Sequence, residues 1–141
     1  MYQKILVALD NSPTDGAMIP HIAALAKLHG SRLLLLHVAD GWAARHYDRF
    51  ELADSEEMQA DRAYLEAEAE KLRTQGLEVE TQLALGEPSE VILKAAEAEA
   101  CDLIAMTTHG HRFLKDLLHG STIYQVRHQA TVPVLLVNPK R

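Results

Sequence analysis

Thr107-Thr108-His109-Gly110-His111-Arg112-Phe113-Leu114-Lys115-Asp116-Leu117-Leu118-His119-Gly120-Ser121-Thr122 follows a short apolar run, Asp102–Met106, and precedes a segment whose Ile123, Val126 and Ala130 recur at helical spacing. The stretch reads as a strand, a glycine-bearing loop and a helix beginning near Ser121. Gly110 and Gly120 bracket basic and hydroxyl side chains. Such a junction offers exposed backbone N–H groups and the positive end of a helix dipole, which together suit a phosphate group.

Working outward, the same alternation recurs. Ile5–Leu9 and Leu33–Val38 are continuous apolar runs of the kind buried on both faces of a parallel sheet. Leu77, Val79, Thr81 and Leu83 alternate with Glu78, Glu80 and Gln82, which predicts a strand exposed on one side and hence at a sheet edge. Pro133–Val137 supplies a fifth strand.

Between the strands lie helical patterns. Ser12 is a candidate cap, with Pro13 in the first turn, for a helix carrying Met18, Ile22 and Leu25 and ending at Gly30. Pro20 falls inside it and predicts a kink or a late start. A second helix is expected from Asp54 or Ser55 to Gln75, with Met58, Leu65, Ala69 and Leu72 inward and Arg62–Glu66 as a surface pair. Gly86-Glu87-Pro88-Ser89 turns the chain into a third, with Val91, Ile92, Ala95 and Ala96 inward. Ala39–Ala53, with Trp42, Tyr47 and Phe50, has no clear period and reads as a long loop.

Alternating strands and helices predict an α/β fold: an open five-stranded parallel sheet with helices on both faces, in one domain spanning 1–141. Ligands in such sheets bind beyond the carboxyl ends of the strands, where the winding reverses. Two polar loops stand at strand ends, Asp10–Ser12 and Thr107–Arg112. Neighbouring first and fourth strands would bring both loops to one crevice.

Composition narrows the field of functions. Fourteen Lys and Arg against twenty Asp and Glu leave a net charge of −6, which argues against sequence-independent nucleic-acid binding. No apolar run approaches the ~18 residues of a membrane span. The chain enters Ile5–Leu9 without a signal-peptide pattern, so a cytoplasmic location is expected. The single cysteine, Cys101, excludes an internal disulfide and reads as a small core residue rather than a nucleophile.

Several segments together resemble the universal stress protein family, in its small single-domain bacterial form. They are Lys-Ile-Leu-Val-Ala-Leu-Asp at 4–10, Leu-Leu-His-Val at 35–38, Gly-Glu-Pro at 86–88 and Asp-Leu-Ile-Ala-Met at 102–106. Thr-His-Gly, Leu-Leu-His-Gly-Ser-Thr and Pro-Val-Leu-Leu-Val follow. The resemblance implies a Rossmann-like sheet of order 3-2-1-4-5 and an adenine nucleotide, ATP or AMP, with any Mg²⁺ carried by the phosphates. Family members that bind ATP show Gly-x2-Gly-x9-Gly-[Ser/Thr]. Gly110, nine intervening residues, Gly120 and Ser121 match it, while Thr107 stands in the place of the first glycine.

By the same resemblance Asp10 would contact the ribose, and the main chain near Val38 the adenine edge. Gly110, His111 and Arg112 would line the phosphate path, with Gly120, Ser121 and Thr122 supplying N–H and hydroxyl donors. Ala8, Leu9, Thr107 and His109 complete the candidate site. Threonine at 107 permits neither positive φ nor very close approach, which predicts weakened or altered nucleotide binding, rather than its loss because Gly110 and Gly120–Thr122 are intact. The family also implies a homodimer built on the apolar edge strand Pro133–Val137, a surface that nothing in the sequence guards.

Other readings of these residues are weaker. His109, His111 and His119 match no zinc spacing and have no companion cysteine. His37 ends an apolar strand and reads as a satisfied structural histidine. Ser12 has no visible acid–base partner, which disfavours a nucleophilic triad. The Gly-Lys-[Ser/Thr] ending of a P-loop is absent, and no residue set for efficient hydrolysis is evident. The expected role is stress response or regulation through nucleotide occupancy and dimer state. The alternatives are a nucleotide-independent interaction module and a slow ATPase or nucleotidyl-transfer enzyme.

Overall fold

The computed structural model describes residues 1–39, 56–108 and 116–139, with residues 116–120 described by their backbone alone. The elements in chain order are β1 (Lys4–Ala8), α1 (Asp15–His29), β2 (Arg32–Ala39), α2 (Glu56–Arg73), β3 (Val79–Leu85), α3 (Pro88–Ala98), β4 (Leu103–Thr107), α4 (Asp116–Gln129) and β5 (Val134–Val137). The loop reading of Ala39–Ala53 lies outside the described residues, apart from Ala39, which closes β2.

All five strands pair in parallel in the order β3-β2-β1-β4-β5. Strand alternation divides the apolar side chains between two cores. Ile5, Val7, Leu33, Leu35 and Leu103 face α1 and α2, where Met18, Ile22, Leu65 and Leu72 meet them. Leu6, Leu34, Leu36 and Ile104 face the other way, against Ile92 and Ala96 of α3 and Val126 of α4. Burial on both faces explains why β1 and β2 are apolar throughout. Each fully buried Leu or Ile contributes about 1.5–3 kcal/mol.

The charged alternation of 78–82 does mark an edge, because among the described residues β3 pairs with β2 alone. Glu80, on β3, reaches the buried Lys4 of β1: the Lys4 Nζ lies 3.1 Å from Glu80 and 3.0 Å from Glu99 at the end of α3. Asp102 adds a second tie at that end of the sheet, accepting the backbone N–H groups of Gln3 and Lys4 at 2.9 and 3.1 Å.

Three helix details differ from the sequence reading. First, α1 begins at Asp15, not after a Ser12 cap. The Ser12 hydroxyl is engaged by Asp10 at 3.0 Å and Thr14 at 2.8 Å, and the helix runs on through Pro20 to Gly30. Second, Glu66 is taken by Arg73 at 3.0 Å and by Thr81 at 3.0 Å. The Arg73 guanidinium holds the Glu66 carboxyl below its ordinary range, aided by the Thr81 hydroxyl.

Third, α4 begins at Asp116 rather than near Ser121. An acidic residue in the first turn suits the dipole, and an internal glycine weakens a helix without ending it. Gly120, Ser121 and Thr122 therefore lie past the first turn, where amide groups already bond to carbonyls four residues back. Ser121 is exposed and Thr122 is buried.

Cys101 is buried, and burial pushes its thiol up to about 11, so little thiolate exists near neutrality. Among the described residues no helix is long and apolar enough to cross a membrane.

Candidate functional site at the carboxyl ends of the strands

β1 is the strand at which winding reverses, since β2 and β3 extend to one side of it and β4 and β5 to the other. Such a position opens a crevice at the carboxyl ends of the strands. A cleft of about 90 Å³ is found there, with Leu36, Ile92 and Met106 as an apolar floor and Asp10, Thr107 and Thr122 as polar groups. Ala8, Leu9, His37, Val38 and Pro88 complete its wall. A larger hollow, of about 660 Å³, lies at the opposite end among Gln3, Lys27, Arg32 and Glu78. That is the amino end of the strands, where this architecture does not converge loops on a ligand.

The cleft brings together Ala8, Leu9, Asp10, Val38, Thr107 and Thr122 of the expected residues. Ser121 precedes Thr122 on α4 and is exposed. The expectations for His109, Gly110, His111 and Arg112 lie outside the described residues, and for Gly120 only the backbone is described. Thr107 ends β4, opposite Val137 of β5, and is 4% exposed. Among the described residues its hydroxyl has no hydrogen-bond partner.

Behind the Asp10 side of the cleft stands a polar network. The buried Asp15 carboxylate accepts the backbone N–H groups of Asp10 and Asn11, each at 2.9 Å, and the Tyr64 hydroxyl at 2.6 Å. Burial pushes the Asp15 carboxyl above its ordinary range, and the three donors offset that only in part. Burial and the Asp15 carboxylate push the Tyr64 phenol upward too, which keeps it a donor.

Asn11 adopts a left-handed φ of 54° and donates its side-chain amide to Asp61 at 2.6 Å. The other Asp61 oxygen lies 3.4 Å from the His37 Nε2, and the His37 Nδ1 meets the Leu9 carbonyl at 2.9 Å. A carbonyl only accepts, so Nδ1 carries a proton. His37 is thus a satisfied histidine, as expected, but it also lines the cleft.

Asp61 and Tyr64 were not singled out by sequence reasoning. The available signal was spacing: Asp61 completes the series Met58, Asp61, Leu65, Ala69, Leu72, which forms the buried stripe of α2. A carboxylate within an apolar stripe needs a buried partner. Among the described residues no three His, Cys, Asp or Glu side chains are grouped to hold a metal ion.

Sheet order and cleft define the doubly wound, Rossmann-like α/β class. Within it, the model of the universal stress protein family matches residues 1–138. Universal stress protein MJ0577 of Methanocaldococcus jannaschii is 31% identical, over 99% of this chain and 97% of that protein. The MJ0577 structure superposes with a TM-score of 0.85, covering 100% of this chain and 99% of the other. The chain belongs to the universal stress protein family.

Two further solved structures share the fold at lower identity. One is a universal stress protein from Archaeoglobus fulgidus in complex with dAMP (23% identical, TM-score 0.70, 96% of this chain and 98% of that one). The other is a universal stress protein in complex with cAMP (19%, TM-score 0.69, 97% of each chain).

Proposed function

We propose that this chain is a stress-response regulatory protein that binds an adenine nucleotide, ATP or AMP, in the cleft between β1 and β4, within a single domain. The observation that carries the reading is the cleft itself. An apolar floor beside a few polar groups at a winding reversal suits a flat heterocycle with a hydrogen-bonding sugar. Family membership and the nucleotide complexes of two relatives support it.

In this reading the apolar floor of Leu36, Ile92 and Met106 takes the adenine, and the main chain at Val38 meets its edge. Asp10 accepts from the ribose hydroxyls, and Ala8 and Leu9 flank it. The buried Thr107 hydroxyl faces the same ligand, while Ser121 and Thr122 offer hydroxyl donors toward phosphate. The phosphate path continues through His109, Gly110, His111 and Arg112, with Mg²⁺ arriving on the phosphates.

In this reading the chain acts through nucleotide occupancy and dimer state. We further propose a homodimer through β5, whose four residues are all apolar and only half-buried. Calorimetric titration with ATP, ADP and AMP tests the ligand: saturable binding is expected for ATP or AMP, and no heat at millimolar nucleotide overturns it.

A further inference from the structure

The turn that presents Asp10 is held from behind by a helix that supplies none of the described lining residues of the cleft. Four bonds converge on residues 9–11. Asp15 takes the amides of Asp10 and Asn11, Asp61 takes the side chain of Asn11, and His37 takes the carbonyl of Leu9. Two of the anchors come from α2: Asp61 itself, and Tyr64, whose hydroxyl orients the Asp15 carboxylate. We infer that Asp61 and Tyr64 are positioning residues for the nucleotide site, fixing through Asn11 and Asp15 the turn that carries Asp10. The inference rests on the nucleotide reading above.

A plainer account makes this network ordinary glue between α1 and α2. Two observations tell against it. Apart from the Tyr64–Asp15 bond, which joins α2 to the first residue of α1, the hydrogen bonds of the Asp15 and Asp61 carboxylates end on the backbone and side chain of the turn, and the helix-to-helix contact is already apolar through Met18, Ile22, Leu65 and Leu72. The turn also holds Asn11 at φ 54°, in the left-handed region that asparagine can enter, with both its backbone amide and its side chain tied down, by Asp15 and Asp61. Over-determined backbone at the mouth of a cleft is preorganisation: the position of Asp10 is set before any ligand arrives.

The consequence is that α2 can change the site without touching the ligand. A shift of α2 along its axis would withdraw Tyr64 from Asp15 and Asp61 from Asn11 together, releasing the turn. Tyr64 also packs its ring on the α1–α2 core, so removing only its hydroxyl leaves that core filled.

The test uses the full chain with Tyr64→Phe and Asp61→Asn, and Ile22→Val as a core control of similar stability loss. Amide hydrogen exchange at Asp10 and Asn11 is compared with that of β4, and ATP affinity is measured by calorimetry. Exchange at those two amides should quicken roughly tenfold in both variants, the worth of about one charge-assisted hydrogen bond, with β4 unchanged. ATP binding should weaken severalfold in both, and Ile22→Val should alter neither quantity locally. The inference is overturned if exchange at Asp10 and Asn11 stays within about twofold of wild type, or if Ile22→Val reproduces both effects. Absence of ATP binding by the wild-type chain overturns the nucleotide reading and with it the affinity claim, while the exchange data still decide whether α2 fixes the turn.

Discussion

Thr107 and Asp15 carry the sharpest consequences at the scale of single residues. Thr107 places a buried hydroxyl at the cleft with no described partner. Replacing it by valine keeps the shape and removes the hydroxyl. Thr107→Val should raise the unfolding free energy of the ligand-free protein by about 1 kcal/mol, because a buried unpaired group is lost. The same variant should bind ATP more weakly, so stability by denaturant titration and affinity by calorimetry move in opposite directions. A joint rise would remove Thr107 from the ligand's surroundings.

Asp15 has its folded-state pKa raised above the ordinary 3.8 by burial. The folded chain therefore holds this proton more tightly than the unfolded chain, and stability falls as pH rises from about 4 through the raised value. Its neutral analogue lacks that slope. The stability of wild type relative to Asp15→Asn, followed by thermal melts from pH 4 to pH 7, should decline with pH. A difference that grows with pH would contradict the assignment.

Elements show why some of the molecule was legible in the sequence and some was not. The five strands follow directly from apolar runs, and the edge position of β3 from its alternating charges, because burial on one face or two leaves a different period. Glu87 and Pro88 open α3 as their types suggest, with the Glu87 carboxylate accepting the Glu90 amide at 3.0 Å. The start of α1 was displaced because the Ser12 hydroxyl reaches Asp10 and Thr14 instead of the helix, and that of α4 because a glycine inside a helix weakens it without ending it. Asp61 was hidden because its partners, Asn11 and His37, lie on other elements far along the chain.

The junction of β3 and α3 gives an element-scale prediction. Gly86 has φ 135°, and a Cβ there would stand 3.1 Å from the Val91 side chain. Gly86→Ala should destabilise by about 1–3 kcal/mol in denaturant titration, combining backbone strain with the contact. The Lys4 cluster supplies a second. Lys4→Met fills the same space without a buried charge and should stay within about 1 kcal/mol of wild type. Glu80→Ala with Glu99→Ala leaves the ammonium buried and unpaired and should cost on the order of 3 kcal/mol.

At the scale of the whole molecule, the two sheet edges are treated differently. On β3 the Arg73 guanidinium covers the Val79 carbonyl, at 3.2 and 2.8 Å, and Glu80 and Gln82 stand along the strand. On β5 all four residues are apolar. The carbonyls of Pro133 and Val137 bond to β4, so Val134 and Leu136 direct their backbone groups outward. Leu136→Pro removes an outward N–H without cutting the β4 ladder. Light scattering should give twice the chain mass for wild type and one chain mass for Leu136→Pro. A wild-type monomer at micromolar concentration would refute pairing through β5.

The central claim, an adenine nucleotide seated across β1 and β4, is tested most directly by mapping amide chemical shifts of the labelled protein during titration with ATP and AMP. The account predicts saturable shifts at Asp10, Val38, Thr107, Ser121 and Thr122, and silence at Gly30 and Gly76 at the other end of the sheet. Shifts confined to the Gly30–Gly76 end, or none at millimolar nucleotide, would contradict it.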